Sequence, residues 1–308
     1  MVFEIDGDQT HWLMNVLNRI LVATDFSPAG RLAVTRAGQL ASQHGSDLQL
    51  IHATPDWNLF SRWTSAPQER YDQITLHSQN ALRDEISWVL HAFGVHAHGE
   101  VQLGKASQVI RRAIAAYQPN IVAIGARGEH EPRISPAALG GTALKLVLQI
   151  QCPLLLVRGW DSNAYRVSMA AVHDAGELSR RVVFWGSALV QAGECHVFHA
   201  YEAPYVERMR LCGADDSAVA SWLLATEKAA HCSADQVLGS AVPGARLKVR
   251  VTHGNPLGAL VTETALCGPQ LVVVGKHEPG RDRSAPESLG TVGLRIAYHT
   301  PVDVLVVP

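Results

Sequence analysis

Two doubly wound α/β domains in tandem, each built on a parallel sheet, are the architecture this sequence predicts. Three observations predict it. The second part of each half repeats at a spacing of 150 residues, so that Ile121, Gly125, Pro136, Leu139, Gly140 and Leu154 recur as Leu271, Gly275, Pro286, Leu289, Gly290 and Val304. Strand-length segments such as 20–23 and 121–124 are apolar throughout, as expected where both faces of a strand are covered. These segments alternate with helix-length amphipathic stretches, the pattern of parallel βαβ crossovers. A chain of 308 residues also divides comfortably into two domains of about 150. The expected boundaries are 1–158, with a short N-terminal extension, and 164–308.

In the first copy, 19–23 forms the opening strand. Ser27 has an N-cap side chain and Pro28 suits the first helical position. Ala33, Ala37, Leu40, Ala41 and His44 then make one helical stripe that Gly45 ends. Leu48 to Ala53 reads as the second strand, 67–93 as a long helix, 95–103 as a strand and 107–117 as a helix. The strand 121–124, a loop, a helix from about Thr142 to Gln149 and the strand 154–157 close the unit. The second copy repeats this order. A strand covers 166–172, Asp174 is expected to cap the helix carrying Leu178, Val182, Trp185 and Leu189, and 195–200 is the next strand. Asn255 caps and Pro256 opens a later helix that carries Leu257, Leu260 and Val261. Between the copies, 158–165 has the Gly, Asp, Ser and Asn content of a linker.

Composition narrows the functional classes. A formal net charge of −2 provides no basic field for phosphate backbones, which argues against a nucleic-acid partner. No apolar run approaches the roughly 20 residues of a bilayer span, so no membrane association is expected. Residues 1–17 lack the basic start and continuous apolar core of a signal peptide, and a short helix around Trp12 is the plainer reading, with the cytoplasm as the expected compartment. The five cysteines form no CxxC pair and are odd in number, which fits reduced thiols. Fifteen histidines raise the question of a metal, notably His96 and His98 on one strand and His196 beside Cys195 and His199. None of them has zinc-site spacing, so no metal site is expected. His52 and His199 recur beside an alanine on the second strand of each copy, which points to a structural or site-lining role.

In doubly wound sheets, ligands bind beyond the carboxyl ends of the strands, where the strand order reverses. In the first copy that edge receives Asp25, Gly104, the run Gly125-Ala126-Arg127-Gly128, and Gly140-Gly141-Thr142 at the start of the last helix. Glycines let backbone N–H groups approach phosphate oxygens, and a helix N-terminus adds free donors and the positive end of its dipole. Thr142 supplies a hydroxyl, Arg127 a charge, and Asp25 an acceptor for a ribose hydroxyl or an adenine amine. Asp25 also has the capacity to cap the following helix, although Ser27 is better placed for that.

Taken in order, the segment 19–27 (RILVATDFS), Gly125-x-x-Gly128, Leu139-Gly140-Gly141-Thr142 and the ending Cys152-Pro153 to Val157 resemble the universal stress protein family over nearly all of the first copy. The resemblance implies Rossmann-like domains of the adenine nucleotide alpha hydrolase type, packed as a pseudo-twofold pair through the strands 154–157 and 304–307. It implies ATP or AMP as ligand, with Mg accompanying ATP. By position, the implied nucleotide-binding residues are Thr24, Asp25, Ala53, Gly125, Gly128, Gly140, Gly141 and Thr142. Against the family's Gly-x2-Gly-x9-Gly-Ser/Thr pattern, eleven residues rather than nine separate Gly128 from Gly140, and Gly141 stands where Ser or Thr is expected. The inserted Glu129 and Glu131 would oppose a triphosphate unless they hold a metal or turn outward.

In the second copy Val172 and His173 stand at the places of Thr24 and Asp25, and Gly275 is followed by Lys276-His277-Glu278-Pro279 before Gly280. Gly290-Thr291 keeps the family's ending, so Gly275, Gly290 and Thr291 are the second-domain counterparts of a degenerate ligand loop. A scaffold role or a different ligand is expected there.

No nucleophile elbow, Walker loop, zinc-protease helix or Ser-Gly-Gly-x-Asp-Ser loop of pyrophosphate-releasing ligases is present. Ser135 and Ser284 have no base that the sequence identifies. The expected protein is thus a regulatory, non-enzymatic stress-response protein holding an adenine nucleotide in its first domain, with homodimerisation and an unknown protein partner both compatible with the pattern. Two alternatives stay open: a nucleotide-free interaction scaffold, and a weak ATP hydrolase.

Overall fold

The computed structural model describes residues 17–54, 68–127, 139–159, 164–190, 193–276 and 291–308. The chain separates into two compact units, Met1–Ala164 and Tyr165–Pro308. The expected N-terminal extension and its helix around Trp12 lie outside the described residues.

The first unit contains β1 (Arg19–Ala23), α1 (Pro28–His44), β2 (Asp47–Thr54), α2 (Gln68–Phe93), β3 (Ala97–Leu103), α3 (Ala106–Tyr117), β4 (Ile121–Gly125), α4 (Gly141–Gln149) and β5 (Leu154–Val157). All strand pairs are parallel, in the order β3-β2-β1-β4-β5. β1 is central because three successive residues, Ile20, Leu21 and Val22, are fully buried. Successive side chains point to opposite faces, so a run of this kind is stable only between two layers of helices. The strand order reverses at β1, which pairs with β2 on one side and β4 on the other. That reversal opens a crevice at the carboxyl ends of β1 and β4.

Helix α1 begins where the sequence places it. The Ser27 side chain accepts from Gly30 N, Pro28 opens the helix, and Gly45 closes it in the left-handed region at φ 65°. Its face of Ala33, Val34, Ala37, Leu40 and Ala41 is buried against the sheet. The long helix α2 packs on β3 and α1, and α3 packs on β2.

The second unit repeats the plan with β6 (Val167–Val172), α5 (Glu177–Ala188), β7 (Glu194–Tyr201), α6 (Val206–Leu211), α7 (Asp216–Asp235), β8 (Arg246–His253), α8 (Pro256–Cys267), β9 (Leu271–Gly275), α9 (Thr291–His299) and β10 (Asp303–Val307). Its strands are parallel in the order β8-β7-β6-β9-β10. Where the described residues of the first unit have the long helix α2, this one has α6 and α7 in succession. Asn255 caps α8 through Leu257 N and Gly258 N. Within that helix Leu260 is buried, but Val261 is 46% exposed and so lies off the core face.

One expected cap is corrected. The N-cap of α5 is Gly176, and Asp174 stands two residues before it. Four residues lead from Ala23 to the cap Ser27, but five lead from Ala171, its counterpart in the sheet, to Gly176. Asp174 thus stands to the cap Gly176 as Asp25 stands to the cap Ser27, two residues before it. Asp174 Oδ1 instead accepts from Gly176 N at 2.9 Å and from Ser179 Oγ at 3.0 Å.

Candidate functional site

The chain leaves β1 through Thr24, whose N–H donates to Ile51 O at 3.0 Å, in continuation of the β1–β2 ladder. Thr24 is 5% exposed, and its hydroxyl accepts from Phe26 N at 3.1 Å. The next turn is pulled tight by Asp25: Oδ1 accepts from Ser27 N at 3.1 Å and from Ser27 Oγ at 2.5 Å. Between these anchors Phe26 adopts φ 61°, a left-handed conformation that is strained for an aromatic residue. Its ring stacks on His52 with centroids 4.3 Å apart. A Cβ at Gly30 would lie 2.6 Å from Asp25 Oδ1, so glycine is needed there to let α1 start against the carboxylate.

Asp25 is exposed on this turn and lines a cleft of about 130 Å³. Of the residues singled out by sequence, Thr24, Asp25, Ala53, Gly125, Arg127, Gly140 and Thr142 line it together. Gly141 opens α4 but does not line the cleft, and Gly128 lies outside the described residues, as do Glu129 and Glu131. The walls between these groups are apolar, formed by Ile51, Ile110, Ile124 and Ala143. Gly125 is held by close approach: a Cβ there would meet the Ala29 carbonyl carbon and oxygen at 2.8 Å. Helix α4 has Gly140 as its N-cap, so no cap side chain competes for its first amide groups. One recess thus offers apolar walls, a carboxylate acceptor, a guanidinium, a threonine hydroxyl and a helix N-terminus.

Two further residues pack against this loop. His52 Nδ1 lies 2.9 Å from Thr24 O, and burial lowers its pKa, against smaller upward pulls from that carbonyl and from the Asp25 charge. Glu85, on α2, is 5% exposed, and its Oε1 lies 3.5 Å from the Arg31 guanidinium. Burial raises the Glu85 pKa. The Thr24 hydroxyl and Arg31 pull it down, and Asp25 pushes it up. Arg31 in turn stacks on Trp88, with its guanidinium carbon 3.9 Å from the ring centroid. The recurrence of His52 as His199 was visible in the sequence. Glu85 was one of many charges on a long helix, and only tertiary packing brings it behind Thr24.

The second unit has a cleft at the equivalent place, of about 260 Å³. Sheet register places Val172 and His173 at the positions of Thr24 and Asp25, and His199 Nδ1 contacts Val172 O at 3.1 Å. Gly275 lines this cleft, Thr291 begins α9, and Gly290 lies outside the described residues. Among the described residues no group of three or more His, Cys, Asp or Glu is placed to hold a metal ion. His96 precedes β3, so it does not share a strand face with His98. No described helix is long and apolar enough to cross a membrane.

Comparison with known proteins gives a consistent picture. A family model described as the universal stress protein family matches residues 17–158 and again 168–308. No curated protein matches the sequence. Among solved structures, a universal stress protein from Archaeoglobus fulgidus DSM 4304 is similar at TM-score 0.66 and 16% identity, covering 94% of this chain and 98% of that one. A functionally unknown protein from Pseudomonas aeruginosa PAO1 is similar at TM-score 0.62 and 15% identity, covering 96% of this chain and 94% of that one. At these identities the likeness is one of fold.

Proposed function

Because the chain belongs to the universal stress protein family in both its halves, we propose that it is a cytoplasmic stress-response protein whose first domain binds an adenine nucleotide, ATP or AMP, as a regulatory ligand. The observation that carries this reading is the convergence in one recess of the Asp25 carboxylate, the Arg127 guanidinium, Gly125 and Gly140 around walls of isoleucine and alanine. An adenine ring fits between apolar walls, a ribose hydroxyl donates to Asp25, and phosphate oxygens accept from Arg127, Thr142 and the amides at the start of α4. The fixed frame around Asp25, set by Ser27 and Gly30, favours holding a ligand over turning it over. Mg would accompany ATP through its phosphates.

The test is mass spectrometry of the purified chain for retained nucleotide, followed by thermal shift with ATP, ADP and AMP. At a hundredfold excess over its dissociation constant, a ligand stabilises the folded state by ~2.7 kcal/mol, well within detection. Asp25→Ala is expected to abolish the shift. No shift in either protein would favour the interaction scaffold, and steady ATP turnover abolished by one substitution would favour a hydrolase.

A further inference from the structure

The two clefts occupy the same place in the fold but differ in chemistry. In the second domain the Thr24 hydroxyl is replaced by the Val172 side chain and the Asp25 carboxylate by the His173 imidazole. The one-residue lengthening of the loop keeps a carboxylate nearby in Asp174, which accepts from Gly176 N and Ser179 Oγ and is not among the residues that line the cleft. Neither a lysine nor an arginine is among the described residues that line it, whereas Arg127 lines the first. Among the described residues, a nucleotide would find here neither the ribose acceptor nor the phosphate cation of the first cleft.

What the second cleft offers instead is room between mostly apolar walls. Its volume is about 260 Å³, twice the 130 Å³ of the first. A buried apolar cavity of about 150 Å³ is enough to hold benzene. Phe198, Pro256 and His173 are among its lining residues, with Phe198 itself only 2% exposed. Gly275 and Gly293 contribute bare backbone, and Gly293 replaces the Ala143 of the first domain. That backbone is closely packed, since a Cβ on Gly293 would lie 3.0 Å from Gly275 O. Val182 and Ile296, 1% and 2% exposed, close the space with aliphatic carbon.

We infer that the second-domain cleft is a binding site for a small planar aromatic molecule of one or two rings that carries no phosphate. A molecule of that size packs against the apolar side chains of Val182, Pro256 and Ile296, and removal of its ring faces from water drives binding. The two domains then read different ligands with one scaffold: a nucleotide in the first and an aromatic compound in the second.

Indole is the probe, titrated into the full chain by calorimetry and ligand-observed NMR, with and without saturating ATP. One equivalent is expected to bind in the presence of ATP. Ala200→Leu, which projects into the second cleft, is expected to weaken it about tenfold or more, with ATP binding unchanged. Gly293→Ala, restoring the first domain's residue, is expected to weaken it in the same direction, and far-UV circular dichroism with retained ATP binding checks that each variant is folded. Absence of indole binding up to its solubility limit would overturn the inference. So would indole affinity indifferent to both substitutions, or a second equivalent of ATP displaced by indole. If the chain binds no ATP at all, loss of one indole equivalent in Ala200→Leu still supports the aromatic site, so the two readings fail separately.

Discussion

His52 Nδ1 sits 2.9 Å from the main-chain oxygen of Thr24, so the imidazole on β2 donates to the first residue of the ligand loop. Burial depresses its pKa in the folded chain below the ordinary 6.5. The unfolded chain therefore takes up a proton first on acidification. The stabilisation is fully present above about pH 6.5 and is lost as pH falls through the lowered folded value. Burial shifts His44 in the same direction. Urea midpoints measured from about pH 7.5 down to about pH 5.5 are expected to fall. His52→Ala is expected to cost ~1 kcal/mol at the upper pH, where the carbonyl loses its donor, and to show a shallower decline, because the group with the lowered pKa is gone.

Glu85 titrates with the opposite sign. Burial raises its pKa above the ordinary 4.5, only partly offset by the Thr24 hydroxyl and by Arg31. Its contribution is complete below the unfolded value and declines as pH rises through the raised folded one, so near neutrality the ionised group weighs against folding. Glu85→Gln keeps the shape and removes the charge. Chemical denaturation is expected to find this variant more stable than the parent near pH 7.5, with the difference closing as pH drops towards 4.

Glycine positions separate by what surrounds them. At Gly125 an added methyl group would overlap the backbone of Ala29 at 2.8 Å, so Gly125→Ala is expected to cost 1–3 kcal/mol or thereabouts and to weaken nucleotide binding with it. Gly258, on α8, has nothing within 4 Å of the added Cβ, and Gly258→Ala is expected to stabilise by about 0.5–1 kcal/mol. Thermal denaturation of the two variants beside the parent checks both signs.

Arg127 lines the first cleft with Gly125 and Thr142, and its role as phosphate partner has a ligand-dependent signature. Arg127→Ala is expected to weaken ATP by about tenfold to a hundredfold, in line with a charge-assisted hydrogen bond. Adenosine, which has no phosphate, is expected to bind the variant and the parent alike. Calorimetric titration with both ligands distinguishes this from a general loss of structure, which would weaken them together.

Much of this was legible from residue order alone. The buried run 20–22, the Ser27 and Pro28 start of α1, the Asn255 and Pro256 start of α8 and the 150-residue repeat are local or periodic signals. Hydrophobic period and cap chemistry act over a few residues, so the sequence determined two copies of a parallel α/β unit with candidate ligand residues at one sheet edge. The tertiary structure decided what meets across long separations: Glu85 behind Thr24 and His52 beneath the same loop. It also decided that Asp174 does not line the second cleft and that Gly293 does. Volume, burial and carboxylate orientation depend on packing between segments many residues apart, and no local pattern encodes them.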